Sequence, residues 1–373
     1  MINQDRLIEK FLELVQIDSE TGFEADISRF LKKEFAALGL TIAEDGSMGK
    51  TGHGANNLVC TLAANSDNVD PIYFTSHMDT VVPGKGIKPE IRDGYIYSDG
   101  TTILGSDDKA GLAAIIETIK VLKEQELPHG QIQFLITVGE ESGLVGAKAF
   151  DHTLLDAKYG FAIDSHGQVG NVMVAAPSRA KIKATLYGKT AHAGVAPEKG
   201  INAIEMAAAA IAKMSLGRID EDTTANLGKI EGGRQLNVVC DEVMVLAEAR
   251  SLINEKLQEQ LGKMKDAFET AASEMGGRAE VEIEILYPGF KFSAEDEVVQ
   301  IAQRAAAKIG RPCQLERSGG GSDANVISGY GIPTVNLAVG YEEIHTTAER
   351  ISLEELTKIT EMVLAVIGET VKR

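Results

Sequence analysis

Residues 71–81 read PIYFTSHMDTV, an apolar run that ends in a histidine, with an aspartate two positions further on. Such a run, rich in β-branched and aromatic residues, predicts a buried strand at residues 72–76. Similar runs alternate along the first half of the chain with apolar residues at helical spacing. They predict strands at residues 131–138 and 161–163 and helices at residues 24–38 and 108–125. The alternation indicates an α/β fold with one sheet covered by helices on both faces.

Polar residues stand where each of these strands ends. His77 follows the first strand, Glu140 and Glu141 follow the second, and Asp164 follows the third. In sheets of this class, ligands bind beyond the carboxyl ends of the strands, so we expect these side chains to meet at one edge. Asp107 stands just before a helix, where the helix dipole favours a carboxylate.

A further histidine, His345 in GYEEIHTTAER, lies far along the chain and is expected to return to the same edge. Two neutral imidazoles and three carboxylates suit a pair of zinc-like divalent cations. We therefore predict five metal ligands: His77, Asp107, Glu141, Asp164 and His345. A carboxylate has two oxygens and can bridge two such cations. The spare carboxylate of Glu140 is placed to act as a base, which indicates a hydrolase.

Each motif also has a simpler explanation. His77 can be a buried histidine beside a solvated Asp79, although side chains two apart on a strand point the same way, so that Asp79 can fix the tautomer of His77. Asp107 and Asp108 can be a helix N-cap and a first-turn acid. The acid pair after the second strand can lie in a solvated loop. The metal hypothesis is favoured because all the motifs fall at the same edge of one sheet.

Residues 178–288 follow a different pattern, with elements in the order βαββαβ of a ferredoxin-like α+β domain. We predict that this segment is an inserted lid domain. The catalytic domain is then discontinuous and consists of residues 1–177 and 289–373.

Three residues of weaker signal are candidates for substrate contact. His192 in GKTAHAG can donate a hydrogen bond to a developing oxyanion, or it can be a strand-end histidine in a turn. Arg250 ends a predicted strand, and a guanidinium can grip a carboxylate with two hydrogen bonds. Gly320 lies in the loop SGGGSDAN, where glycines let backbone amides approach a ligand closely.

Composition narrows the class of protein. The 373 residues exceed the size at which one core usually stops growing, which predicts two domains. The net charge of −18 repels phosphate and anionic membrane surfaces, so we expect no nucleic-acid or membrane partner. Cys60, Cys240 and Cys313 share no paired spacing, which favours reduced thiols. With no signal-peptide pattern and no long apolar run, we predict a cytoplasmic protein.

In their order along the chain, the motifs SHMDTV, GSDDKAG, GEESGLVGA, AIDSHG, GKTAHAG and EIHTTAER resemble those of the co-catalytic zinc metallopeptidases. That family includes peptidase T, carboxypeptidase G, aminoacylase and succinyl-diaminopimelate desuccinylase. The resemblance covers nearly the whole chain and implies a zinc-peptidase-like mixed sheet flanked by helices, with an inserted ferredoxin-like lid. The wording of GSDDKAG and AHAGVAPEKGINAI is most similar to the peptidase T branch. Asp164 also matches the aspartate typical of aminopeptidase relatives, where carboxypeptidase relatives have glutamate.

The resemblance implies a role for each motif residue. It implies two Zn²⁺ ions, for which Co²⁺ or Mn²⁺ can substitute. His77 and Asp164 would bind one ion, Glu141 and His345 the other, and Asp107 would bridge them. Glu140 would be the general base and Asp79 would orient His77. The resemblance further implies an oxyanion-facing His192, substrate contacts from Asn237 and Arg250, and a cis peptide bond between Asp107 and Asp108.

The implied activity is hydrolysis of short peptides, with release of the N-terminal residue from tripeptides. An N-acyl-amino-acid amidohydrolase or a carboxypeptidase of the same fold is the alternative enzyme. A non-catalytic peptide-binding protein is the alternative outside enzymes. Relatives include dimers formed through the lid, which suggests a homodimer.

Overall fold

The chain divides into two compact units. The computed structural model describes residues 2–371, so the outermost residues of the predicted ranges, 1 and 372–373, lie outside the described part. The first unit comprises Met1–Ala175, Phe292–Ser318 and Ser322–Arg373, and the second comprises Ala176–Lys291 and Gly319–Gly321. The predicted insertion, residues 178–288, lies inside the second unit. That this unit is a lid stays a prediction.

The helices are α1 Gln4–Val15, α2 Ala25–Ala37, α3 Met48–Thr51, α4 Ser106–Glu124, α5 Val145–Ala149, α6 Ala203–Ala212, α7 Asn254–Glu274, α8 Glu297–Lys308, α9 Asp323–Gly329 and α10 Leu353–Thr370. The strands are β1 Thr41–Glu44, β2 Leu58–Leu62, β3 Ile72–His77, β4 Glu90–Arg92, β5 Tyr95–Tyr97, β6 Ile132–Thr137, β7 Tyr159–Ser165, β8 Val172–Ala176, β9 Ser178–Tyr187, β10 Gly217–Arg218, β11 Thr223–Gly232, β12 Glu242–Ser251, β13 Arg278–Tyr287, β14 Phe290–Lys291, β15 Leu315–Arg317, β16 Thr334–Ala338, β17 Tyr341–Glu342 and β18 Arg350–Ser352. No helix within residues 2–371 is both long and apolar enough to cross a membrane.

The first unit is built on a mixed sheet with strand order β1-β2-β6-β3-β7-β16-β8. Its centre is parallel, because β3 pairs in parallel with both β6 and β7, and β16 pairs in parallel with β7. The pairs β1–β2, β2–β6 and β16–β8 are antiparallel. The predicted α/β fold with a mixed, helix-flanked sheet is confirmed.

Both faces of this sheet are buried, since successive side chains of a strand point to opposite faces. Phe74 belongs to the large core that also contains apolar residues of α1, α2, α4, α8 and α10. Its neighbour Tyr73 belongs to a smaller core on the other face, which includes Ile327 of α9. Strands β3 and β6 are buried along their whole length. This explains why they appear in the sequence as mostly apolar runs rather than strictly alternating ones.

Three phenyl rings cross the sheet at one level. The centroids of Phe74 and Phe134 are 6.0 Å apart, and those of Phe74 and Phe161 are 5.6 Å apart. Buried aromatic pairs of this kind add to stability beyond the area they bury. The row lies three residues before His77, so the rings anchor the strands close to the edge where the polar residues begin.

The second unit has an antiparallel sheet with strand order β10-β11-β12-β9-β13. Without the short β10, the order along the chain is βαββαβ, with α6 after β9 and α7 after β12, which is the ferredoxin-like arrangement. Met206 of α6 and Phe268 of α7 pack against Leu186 and Val243 of the sheet in one core.

Strand β12 begins at Glu242, whereas the sequence pattern predicts a strand from residue 237 onwards. Asn237 lies in a turn instead, and Val238 forms an isolated β-bridge with His192. Ala193 N donates to Asn237 O at 3.0 Å, and Val239 N donates to Ala191 O at 2.9 Å. The apolar pattern does not show that residues 237–239 lie outside the strand and pair with residues 191–193.

Candidate metal centre

The ends of three neighbouring strands bring the predicted residues together. His77 at the end of β3 is in register with Thr137 at the end of β6. Phe74 is in register with Phe161, so Asp164 on β7 stands at the level of His77. The Glu140–Glu141 pair follows β6 after two intervening residues. Parallel pairing therefore collects these polar residues at one edge of the sheet.

Asp107 lies at the middle of the group, with one carboxylate oxygen toward each histidine. Its Oδ1 is 3.1 Å from His77 Nε2, and its Oδ2 is 3.1 Å from His345 Nε2. Asp164 Oδ1 lies 3.8 Å from His77 Nε2, and Glu141 Oε1 lies 3.0 Å from His345 Nε2. The structure thus brings all five predicted ligands together. They form two half-sites that share Asp107.

Asp107 is presented by a bend at the start of α4. Gly105 has the positive φ of 76° that favours glycine, and Asp107 has φ −86° and ψ 100°, outside the helical range. The Asp107–Asp108 peptide bond is cis. Asp108 is buried and accepts hydrogen bonds from the Ser76 hydroxyl and from Gly111 N. The capping explanation considered from the sequence therefore fits Asp108, while the side chain of Asp107 turns to the histidines.

Asp79 connects two parts of the site in a way that differs from the sequence-based expectation. His77 Nδ1 is 2.9 Å from the backbone carbonyl oxygen of Asp79 and 3.6 Å from its carboxylate. The carboxylate instead accepts from the backbone N–H groups of Glu140 at 3.0 Å and Glu141 at 3.2 Å. Strand β3 ends at His77, so the alternation rule no longer applies at Asp79. The carbonyl contact makes Nδ1 the protonated nitrogen and leaves Nε2 free to bind a cation.

Asp164 and His345 are held by neighbours that the sequence analysis did not single out. The Asn336 amide brackets the backbone of Asp164, accepting from its N–H at 3.0 Å and donating to its carbonyl oxygen at 2.6 Å. The Tyr341 hydroxyl donates to Asp164 Oδ1 at 3.1 Å. His345 has a positive φ of 65°, which strains a residue other than glycine and is typical of functional sites.

Electrostatics at this edge favour a cation. Burial, together with the negative charge of Asp164, raises the pKa of Glu140 well above its usual value. Burial also opposes protonation of His77, but its hydrogen bond to Asp107 and the nearby negative charges of Asp164 and Asp79 raise its pKa well above normal. Hydrogen bonds to Asp107 and Glu141 raise the pKa of His345 to about 10. The raised pKa values of Glu140, His77 and His345 favour protons at this edge, and a divalent cation would replace those protons.

The donor set passes a simple test of fit. Donor atoms of His77, Asp107 and Glu141 all lie within 4.8 Å of one another. Bonds of about 2.05 Å in a tetrahedral zinc site place neighbouring ligand atoms about 3.3 Å apart. The observed contacts of 3.0–3.1 Å around Asp107 are close to that spacing. Nitrogen and carboxylate donors in this ratio suit Zn²⁺, Co²⁺ or Mn²⁺.

The other four predicted residues all belong to the second unit. His192 is exposed and pairs by a β-bridge with Val238, next to the exposed Asn237. Arg250 is in register with Arg179 on the next strand, and Glu248 forms ion pairs with both. Arg250 Nη1 also donates to Gly319 O at 3.0 Å, beside the half-buried Gly320. The structure thus groups His192 with Asn237 and, separately, Arg250 with the glycine-rich loop.

Two buried carboxylates were missed by the sequence analysis. Asp323 accepts from the Thr137 hydroxyl, and burial raises its pKa to about 6. Glu349 accepts hydrogen bonds from the loop that presents Asp107. Both lie in quoted motifs, SGGGSDAN and EIHTTAER, yet nothing in the letters separates them from ordinary surface acids.

Known proteins resemble the chain over its full length. The family described as Peptidase family M20/M25/M40 matches residues 73–369. The chain belongs to this family. It is 64% identical over 372 residues to YqjE of Bacillus subtilis strain 168, with 100% of both chains covered.

Two solved structures of M20 relatives have the same fold. The aminopeptidase PepT of Bacillus cereus ATCC 10987 is 66% identical with a TM-score of 0.97, over 100% of both chains. A tripeptidase from Staphylococcus aureus subsp. aureus Mu50 is 54% identical with a TM-score of 0.95, over 99% of both chains. The resemblance predicted from the motifs is confirmed. As an M20 family member the chain is a peptidase, its substrates are peptides, and the edge described above is a possible metal site.

Proposed function

We propose that this peptidase is a two-zinc aminopeptidase that removes the N-terminal residue from tripeptides. The proposal is supported by the relatives at 66% and 54% identity, which are named as an aminopeptidase PepT and a tripeptidase. The observation that carries it is the placement of Asp107, whose two oxygens each lie 3.1 Å from a different histidine. A carboxylate so placed can bridge two cations, as two-metal hydrolases require.

The ligand assignment follows from the contacts of the two half-sites. We assign His77 and Asp164 to one zinc, and Glu141 and His345 to the other. Asp107 is assigned to both. When bound, the two ions would polarise the scissile carbonyl and lower the pKa of a water molecule toward about 7.

Glu140 is the proposed general base. It follows β6 at the same edge as the ligands, and Asp79 fixes its backbone N–H at 3.0 Å. The role requires a carboxylate that takes a proton from the attacking water and later releases it to the leaving amine. Asp79 keeps His77 in the tautomer that can bind metal.

Contacts to the substrate are proposed for four residues of the second unit. His192 is proposed to donate a hydrogen bond to the oxyanion. Arg250 and Asn237 are proposed to hold the peptide, and Gly320 to offer its backbone at close range. Residues 178–288 would then act as a lid domain on the catalytic domain formed by residues 1–177 and 289–373. We further propose a homodimer through this lid and a cytoplasmic location, the latter because Cys60, Cys240 and Cys313 are free thiols.

Metal dependence is the first test. Removing metal with a strong chelator should abolish hydrolysis of a tripeptide, and adding Zn²⁺ or Co²⁺ should restore it. Activity that survives thorough chelation would contradict the two-zinc proposal. Atomic absorption on the reconstituted protein should give two metal ions per chain.

A panel of blocked peptides separates the aminopeptidase from the other enzymes of this fold. The panel is one tripeptide with free termini, the same peptide acetylated at its N-terminus, the same peptide amidated at its C-terminus, and an N-acyl amino acid. We expect cleavage to need the free amine and to release the first residue. Cleavage of the acetylated forms would indicate an amidohydrolase. Release of the last residue would indicate a carboxypeptidase.

A further inference from the structure

The side chain of Glu349 hydrogen-bonds to the loop that leads into α4. It is 1% exposed, and its carboxylate accepts four hydrogen bonds from consecutive residues. These come from Leu104 N at 2.8 Å, Gly105 N at 2.8 Å, the Ser106 hydroxyl at 2.6 Å and Asp107 N at 3.1 Å. Both carboxylate oxygens are used, Oε2 by the first two donors and Oε1 by the other two.

Burying the Glu349 carboxylate costs free energy, which its hydrogen bonds to the loop must offset. A buried carboxylate loses its hydration and needs good hydrogen bonds in return. None of the four donors is a cation, although the buried Lys109 side chain interacts electrostatically with this carboxylate. The four donors fit an acceptor with about four lone-pair positions, and the loop residues are thereby fixed relative to one another.

Glu349 also lies close in sequence to a ligand of the other half-site. It is four residues after His345, and Glu349 N donates to Thr346 O at 3.2 Å, which closes the turn between them. One side chain therefore links the backbone of Asp107 to the segment that carries His345, across 242 positions in the sequence. A side chain that only stabilised the loop before α4 would not need to connect it to the segment that carries His345.

We propose that Glu349 is a positioning residue that sets the placement of Asp107 relative to His345 and so fixes the spacing of the two metal ions. The inference rests on the proposed two-metal function. Glu349 itself touches neither the ions nor the substrate in this scheme. It acts through the backbone N–H of Asp107 and the turn that leads to His345.

The test is Glu349→Gln. The amide has nearly the same shape, but its NH2 group would face N–H donors, so hydrogen bonds to the loop are lost without leaving a cavity. Metal-free protein is titrated with Co²⁺, and the affinity, the stoichiometry and the visible absorption spectrum are recorded. We expect the variant to keep its circular dichroism spectrum, to bind Co²⁺ about 10- to 100-fold more weakly and to show shifted cobalt bands. Binding with wild-type affinity and spectrum would overturn the inference.

Two further variants keep the result interpretable. Glu117→Gln is the matched control, because Glu117 is also 1% exposed and accepts from Asn3 N and Arg6, further along α4 and away from the ligands. It should lower thermal stability and leave the cobalt spectrum unchanged. Ser106→Ala removes one of the four hydrogen bonds and should give a smaller, parallel loss of affinity, even if Glu349→Gln fails to fold. An unaltered spectrum in a folded Ser106→Ala protein with wild-type affinity would also count against the inference.

Failure of the inference differs from failure of the proposed function. If wild-type protein takes up two Co²⁺ ions and the Glu349 and Ser106 variants match it, only the positioning role is wrong. If wild-type protein takes up none, the two-metal function itself is wrong.

Discussion

Asp79 contacts two parts of the metal centre, and only one of the two contacts could be predicted from the sequence. The spacing of His77 and Asp79 suggested contact, and they do touch, but through the carbonyl oxygen at 2.9 Å. The carboxylate holds the backbone of Glu140 and Glu141. That partner cannot be deduced from a two-residue spacing, because it depends on how another strand ends beside β3.

Glu140 is the residue on which the chemistry should depend most. Glu140→Ala removes the only proposed proton acceptor but none of the five ligands, so metal content and fold should persist. We expect the turnover number for a tripeptide to fall by about 10²- to 10⁴-fold, the usual contribution of a general base. Steady-state kinetics and metal analysis on the same preparation check this. A variant that retains wild-type turnover would rule Glu140 out as the base.

Among the helices and strands, the fully buried strands were the elements that the sequence predicted best. Strands β3, β6 and β7 were expected from mostly apolar runs, and their parallel order then placed His77 and Asp164 at one edge. The start of β12 was misplaced, since residues 237–239 lie outside the strand and pair with residues 191–193. Glu349 was missed because its four hydrogen bonds join segments more than 240 positions apart, which no local pattern can show.

We expect the row of phenyl rings to contribute strongly to the stability of these strands. Phe134 is 0% exposed and stacks near both Phe35 and Phe74. Phe134→Ala should lower the free energy of unfolding by about 3–5 kcal/mol, because the ring is lost and a cavity is left. Urea denaturation followed by far-ultraviolet circular dichroism measures the change. Phe23→Ala, at a position 67% exposed, is the control and should cost less than about 1 kcal/mol. Equal losses in the two variants would contradict the role of the row.

At the scale of the whole molecule, the distribution of ligands decides which part of the chain metal can stabilise. His77, Asp107, Glu141, Asp164 and His345 all belong to the first unit. Each cation that binds only the folded state raises the free energy of unfolding of the unit that holds it. The increase is about 2.7 kcal/mol at a free concentration 100 times the Kd. The second unit supplies no proposed ligand and should gain nothing directly.

Hydrogen–deuterium exchange with mass spectrometry can measure this difference in one experiment. With Zn²⁺ at 100 times the Kd of each of the two proposed sites, the slowest amides of β3 and β6 should exchange about 10⁴-fold more slowly than in metal-free protein, about 100-fold for each ion bound, because they exchange only when the metal-holding unit opens. Amides of α7 and β12 should keep their rates. His345→Ala, which removes one ligand, should reduce the slowing in β3 and β6 and provides the control. Equal slowing in both units would show that metal binding is not confined to the five residues at this edge of the sheet. No slowing in either unit would show that metal does not stabilise the first unit.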